Sequence, residues 1–300
     1  MEKLFITLFG FIIGASLGSF IKVLADRSIL DKKFTGRSEC PKCHKKLNWY
    51  ELIPIFSYLF LKGKCSKCQT KIPLEYLLIE ILTGLLIALL FSFFIPTNIL
   101  EANIYLQIKV LIDILFKILI VSVLIITFLT DLKTGFIFDR ITYPAIVLAF
   151  IFLIIISAYN IYMLYLSLIN SVIGKYLLPP HSDYFFRHSV VASEPLIYGL
   201  IAGFLMLLFF GSIIVFTKGR GMGGGDLKLA IFLGLALGFP LIFVALMLAF
   251  LSGSLIGIFL LLFGKKKFGQ TIPFGPFLSI GALTTLFVGT QILNWYITKF

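Results

Sequence analysis

Three hundred residues would suffice for two soluble domains, but 59% are hydrophobic, only 13% are charged and the mean hydropathy is +1.05, which excludes an ordinary water-facing surface. The net charge of +12 raises nucleic acid as a partner, yet the basic residues flank apolar runs instead of forming a reading surface, so no nucleic-acid role is expected. The solvent of this chain is lipid, and its 33 Phe and 12 Tyr suit lipid-facing helices and their interfacial rims.

The first apolar run, 4–22, exceeds the about 7–15 residues of a signal-peptide core and reads as a retained span within a segment 1–24. Seven further runs follow at 74–95, 107–130, 141–162, 196–217, 227–238, 241–263 and 277–295, most of them near the ~20 residues that cross a hydrocarbon core. The fold class expected is an all-α polytopic membrane protein of about eight transmembrane helices, with residues 74–300 as its main membrane domain. The sixth run is the shortest, because Gly238-Phe239-Pro240 stops it. Under this arrangement 20 of the 26 Lys and Arg fall on one side, which makes that side cytoplasmic and puts the N-terminus outside.

Between the first two spans, residues 25–73 form a polar cytoplasmic stretch that holds all four cysteines, as Cys40-Pro-Lys-Cys43 and Cys65-Ser-Lys-Cys68 with 21 residues between them. Two such knuckles can place four thiolates around a tetrahedral Zn²⁺, and a structural site of this kind contributes folding energy directly. Disulfides are disfavoured by the reducing cytoplasm, and a redox role leaves the duplicate knuckle unused. The stretch has too few apolar residues for a sufficient core of its own, so a metal is the expected staple.

Two aspartates stand where an apolar run meets the cytoplasmic interface: Asp131 ends the third run and Asp226 opens the sixth. An ionisable group at such a border is costly against lipid and is expected to face the bundle interior or a water-filled cavity. Glu80, about two turns into the second run, is a possible supporting group on the same grounds. Helix capping is the bland alternative for either border aspartate, and Asp139 suits it best. Gly221-Met222-Gly223-Gly224-Gly225 precedes Asp226 and allows close backbone approach; with Asp-Leu-Lys after the glycines and no preceding strand, it is neither a Walker nor a dinucleotide loop. Two carboxylates sharing one site keep one proton between them, so one can activate water against a peptide carbonyl. The outward stretch 163–195, with His181, Asp183 and His188, reads as a solvated loop.

These residues resemble the type IV prepilin peptidases. The likeness runs through Gly18-Ser19-Phe20, the first knuckle with Arg37-Ser38, Trp49-Tyr50-Glu51-x-Ile53-Pro54, the second knuckle, Glu80-Ile81-Leu82-Thr83-Gly84, Asp131 with Asp139, Gly223-Gly224-Gly225-Asp226-x-Lys228 and Ile272-Pro273-Phe274-Gly275-Pro276; the Gly223-x-Gly225-Asp226 element is similar to that of intramembrane aspartic proteases. The resemblance implies a bacterial inner-membrane aspartic endopeptidase with Asp131 and Asp226 as catalytic pair, Gly223 and Gly225 in the active-site loop, and Glu80 and Lys228 in support. Its implied partners are prepilins and pseudopilins, recognised by their leader and apolar N-terminal helix, and membrane lipid. It also implies S-adenosylmethionine as cofactor of a second, N-methylating activity, whereas Zn on Cys40, Cys43, Cys65 and Cys68 is expected from the knuckle spacing itself. Two departures are Ile137-Phe138-Asp139, where the family has Ile-Pro-Asp, and Lys22, where an Asn is usual; the first bears on the bend into the fourth span. A proton-coupled transporter and a zinc-stabilised scaffold are the rival readings; the former leaves the cysteines unexplained and the latter the glycine–aspartate loop.

Overall fold

The computed structural model describes residues 2–40, 42–99, 101–219, 222–264 and 272–299. Within them the regular structure is helical, apart from two isolated antiparallel bridges, with turns and irregular segments between the helices. In order come α1 (Glu2–Ile29), α2 (Phe56–Phe60), α3 (Leu74–Phe94), α4 (Ile104–Thr134), α5 (Asp139–Ile169), α6 (Tyr184–Ala192), α7 (Glu194–Phe216), α8 (Gly224–Leu237), α9 (Leu241–Leu262) and α10 (Gly275–Lys299). Seven of these, α1, α3, α4, α5, α7, α9 and α10, are long and apolar enough to cross a membrane. The short sixth run is α8, whose 14 residues extend only about 21 Å at 1.5 Å per residue, against ~30 Å of hydrocarbon. It stops at Gly238, where φ is 71°.

α4 is the central helix, packed against α1, α3, α5 and α10, and its Ile120, Val121 and Leu124 are fully buried. Around it the helices associate in close pairs, α1 with α3, α7 with α8, and α9 with α10. Lipid offers no hydrophobic drive between apolar helices, so pairing depends on close backbone approach at small residues. On α1, Gly10, Gly14 and Gly18 recur every fourth residue and form one stripe; a Cβ at Gly14 would lie 2.7 Å from the Thr83 carbonyl and 2.9 Å from the Gly84 Cα. Gly234 of α8 meets Gly203 of α7 in the same way, and Gly281 of α10 meets the Ala245 carbonyl of α9.

The C-terminal end of α1 and the start of α3 are separated by the cysteine-bearing connection, but their junction is tied by charge. Lys22, only 2% exposed, pairs with Asp26 and lies 3.6 Å from Glu75 and 4.5 Å above the Tyr76 ring. Lys133 of α4 joins this group at 2.6 Å from Glu75 and 3.8 Å from Asp26, and the Tyr76 hydroxyl donates to Asp26 at 2.7 Å. Two lysines against two carboxylates balance, which is the condition for tolerating buried charge. Lys22 therefore has a structural use.

The stretch 163–195 carries structure of its own. α5 continues to Ile169, a single 3-10 turn covers Gly174–Leu177, and α6 follows before α7. His188 stacks on Tyr184 with 3.7 Å between ring centroids, and His181 packs against Tyr176. Among the described residues, the only cluster of potential metal ligands is the cysteine group.

Candidate active site and metal centre

Asp131 lies in the last turn of α4, which ends because Gly135 takes a left-handed conformation (φ 69°) and donates its N–H back to the Asp131 carbonyl at 2.8 Å. The side chain is 3% exposed and accepts the N–H of Gly275, the first residue of α10, through Oδ2 at 2.8 Å. Asp226 is the third residue of α8 and accepts the N–H of Gly223, the cap residue of that helix. Each aspartate thus meets one of the unpaired N–H groups at a helix start, where the helix dipole favours negative charge.

The two helix starts converge on Ile137, in the short connection between α4 and α5. A Cβ at Gly225 would meet the Ile137 Cβ at 2.9 Å, and one at Gly275 would meet the Asp131 Oδ2 at 2.6 Å and the Ile137 Cδ1 at 3.1 Å. Glycine at both positions lets the backbone of α8 and α10 close around one point. Asp131 and Asp226 consequently stand within electrostatic reach of each other.

Asp139 is the first residue of α5, not its cap; Phe138 occupies the cap position, and the Asp139 carboxylate bonds Lys228 Nζ at 2.6 Å. The expectation of a helix cap at Asp139 is corrected here, because Lys228, 4.8 Å above the Tyr143 ring, draws the carboxylate across to α8. Lys228 therefore fixes the start of α8 against α5. Phe138 has φ −81°, close to the value a proline imposes, so its presence leaves the bend into α5 intact. Glu80, on α3, accepts the N–H of Ile55 at 2.7 Å and bonds Ser19 of α1, which attaches the cysteine-bearing connection to the membrane helices.

In that connection the two knuckles are built alike. Cys40 N–H donates to the Lys45 carbonyl and His44 N–H to the Cys40 carbonyl; Cys65 with Thr70, and Gln69 with Cys65, repeat the pattern. His44 and Gln69, each next after a second cysteine, both have left-handed backbone at φ 53° and 54°. The four sulfurs lie within 4.8 Å of one another, with Cys40 to Cys68 at 3.7 Å and Cys43 to Cys65 at 3.9 Å, and all four are free thiols. Sulfurs at Zn–S distances of ~2.3 Å on a tetrahedron stand about 3.8 Å apart, so the cluster fits a structural zinc.

The thiols are graded by their surroundings. The Thr70 hydroxyl and N–H hold Cys68 down at about 6, and the N–H groups of Cys68 and Lys67 lower Cys65. At Cys43 the Lys45 N–H favours the thiolate, but burial and the three neighbouring sulfurs outweigh it and push the group up to about 11. A central divalent cation relieves that crowding, since it binds thiolates. His44 points elsewhere, 3.8 Å from Glu39.

Glu51 had no role assigned from sequence. It is buried, accepts the Asn48 N–H at 2.7 Å and Lys45 Nζ at 2.8 Å, and takes the Ser66 hydroxyl. Lys45 follows the first knuckle and Ser66 sits inside the second, so one carboxylate joins both. The capping-box spacing of Asn48 and Glu51 was the available signal. Gly275 was likewise visible only within its motif, as a glycine between Phe274 and Pro276 at the start of an apolar run.

The fold defines a multi-pass helical membrane protein with a four-cysteine module and two border aspartates. A family model for the bacterial peptidase A24 N-terminal domain matches residues 12–94, and one for the type IV leader peptidase family matches 184–262. Relatives named prepilin leader peptidase/N-methyltransferase include that of Bacillus subtilis, 30% identical over 289 residues and 96% of each chain. Those of Vibrio cholerae and Aeromonas hydrophila are each 29% identical, over 96% and 88% of this chain and 98% and 76% of theirs. The chain belongs to the prepilin leader peptidase/N-methyltransferase family. No solved structure gives a significant match. The first family model includes the four cysteines and Glu80, the second includes Gly223, Gly225 and Asp226, and Asp131 lies between them.

Proposed function

We propose that this protein is a membrane-embedded aspartic endopeptidase that removes the leader of type IV prepilins and pseudopilins at the cytoplasmic face of the bacterial inner membrane, with Asp131 and Asp226 as the catalytic pair. The reading is supported by the convergence of the α8 and α10 starts on Ile137 at the end of α4, which brings Asp131 and Asp226 within electrostatic reach of each other. Two like charges so placed share a proton, so one carboxyl can polarise the scissile carbonyl while the other takes a proton from water. Gly223 and Gly224, with little or nothing against their Cβ positions, leave backbone open beside Asp226 for an extended substrate, while Gly225 closes the loop onto Ile137. Lys228, through Asp139, keeps α8 in place.

A substrate whose cleavage point separates a basic leader from an apolar helix suits acids at a membrane rim. The membrane supplies a seat for the apolar half, and the cytoplasmic surface accepts the leader. The zinc module, on Cys40, Cys43, Cys65 and Cys68, acts as a structural staple. Methylation of the new N-terminus, with S-adenosylmethionine as donor, is supported by the names of the relatives.

The test is incubation of purified protein with a prepilin in lipid, followed by mass measurement of the product N-terminus. Asp131→Asn and Asp226→Asn, each inserted in the membrane as the parent is, are expected to abolish leader removal. Cleavage by either variant near the parent rate would refute the pairing. A mass increase of one methyl group on the product, dependent on the donor, reads the second activity in the same sample.

A further inference from the structure

The connection between α1 and α3 carries a ridge of apolar side chains that the module itself does not cover. Trp49 is 78% exposed, Phe56 60%, Leu59 59% and Phe60 82%, with Tyr50 beside Trp49 in an edge-to-face pair. Side chains of this size on a water-facing metal module would form a contiguous apolar patch, which marks an interaction surface.

The depth of the ridge can be read from the helices that hold it. Ile55, at its centre, has φ 64°, a conformation that a β-branched residue adopts only under constraint. Its turn is closed by the Phe56 N–H on the Pro54 carbonyl at 2.6 Å, and its own N–H is spent on Glu80. Glu80 lies five residues beyond Glu75 along α3, or about 7 Å further from the helix start at 1.5 Å per residue. Its other partner, Ser19, precedes Lys22 by three residues on α1. Glu75 and Lys22 belong to the charged layer with Asp26 and Lys133, the level at which the two spans emerge. The ridge is therefore hung below that layer, on the lipid side.

Charge agrees with this placement. The exposed Lys46 precedes the ridge, and the exposed Lys62 and Lys64 follow it, while Glu51, the acid within it, is buried by its partners in the module. Aromatic rings at the headgroup level, apolar groups beneath and lysines above are the pattern of a segment lying in the membrane interface, and lysines there favour anionic headgroups.

We propose that residues 49–60 form a monotopic foot of the zinc module, in which Phe56, Leu59 and Phe60 enter the upper acyl region of the adjoining leaflet, Trp49 and Tyr50 stand at the headgroups, and Lys46, Lys62 and Lys64 face anionic phosphates. The foot fixes the module against the membrane independently of any substrate.

The chain has two tryptophans, so Trp295→Phe leaves Trp49 as sole reporter. The full-length variant is placed in vesicles of phosphatidylcholine with a minor share of phosphatidylglycerol, brominated either at upper acyl carbons or near the chain ends. Blue-shifted emission, loss of most of it with upper-chain bromine and weak quenching by aqueous acrylamide are expected. A second reporter, Phe60→Trp in a Trp49→Phe, Trp295→Phe background, is expected to be quenched by bromine set deeper than the level that best quenches Trp49. Red-shifted emission quenched by acrylamide and indifferent to bromine would overturn the proposal. So would bromine-insensitive, blue-shifted emission that turns red as the protein is diluted in lipid, because a second copy would then cover the ridge.

Discussion

At Glu51 a single buried carboxylate joins the two knuckles through Lys45 and Ser66. Burial alone would raise its pKa, but the Asn48 N–H, the Lys45 ammonium and the Ser66 hydroxyl overcome that and hold it at about 2. Glu51→Gln keeps the shape and removes the charge; it is expected to weaken zinc retention about tenfold, as loss of groups that orient metal ligands does, measured by competition with a chelator. The pH dependence follows from the sign of the shift. A depressed carboxylate contributes stability that is complete above its unfolded value, near 4.5, and is lost as pH falls toward about 2. The stability gap between the parent and Glu51→Gln in thermal unfolding should therefore be constant above pH about 4.5 and close below it. A gap that widened on acidification would exclude this role. The four cysteines were legible because metal geometry dictates their spacing, and the two aspartates because charge is rare at an apolar border. Glu51 was hidden because its partners come from 15 residues downstream and six upstream, and nothing in a linear pattern marks a carboxylate as a cross-brace.

Glycine decides the contacts between elements. Gly14→Leu puts a side chain where α1 touches the Thr83 carbonyl and Gly84 Cα, both backbone groups that cannot turn aside. The expected cost is about 1–3 kcal/mol, read as a lower unfolding temperature in detergent, whereas Gly211→Leu, with open space around its Cβ position, should leave it unchanged. Gly275→Ala acts on the site: the added methyl meets Asp131 Oδ2 and displaces it from the α10 start. Leader cleavage is expected to fall about a hundredfold, the effect of an ångström-scale misplacement of a reacting group, with unfolding temperature little altered. Equal loss of stability and activity would count against a local effect. The helices themselves were readable from apolar runs of membrane length, and the short α8 from Gly238-Phe239-Pro240. Their ends were less so: α1 continues to Ile29 and α5 to Ile169, because Lys22 and Asp26 neutralise each other within the bundle and polar residues such as Asn160 bond backbone of the following segment.

For the whole molecule, elemental analysis of freshly purified protein is expected to find about one zinc per chain, and its absence would refute the metal centre. Topology of this kind also assigns order to the assembly. α1 and α3 meet along a seam of glycines, the four-cysteine module bridges them, and the A24 N-terminal match covers the same stretch, 12–94. Every partner needed for that seam has been synthesised before α4 begins at Ile104. The leading helical pair can thus be complete in the membrane while the rest of the chain is still being made, waiting for Lys133 to reach Glu75 and Asp26. A gene divided between Thr97 and Asn98 and expressed as two pieces should then yield a working protein, the second piece docking onto a first that is already formed.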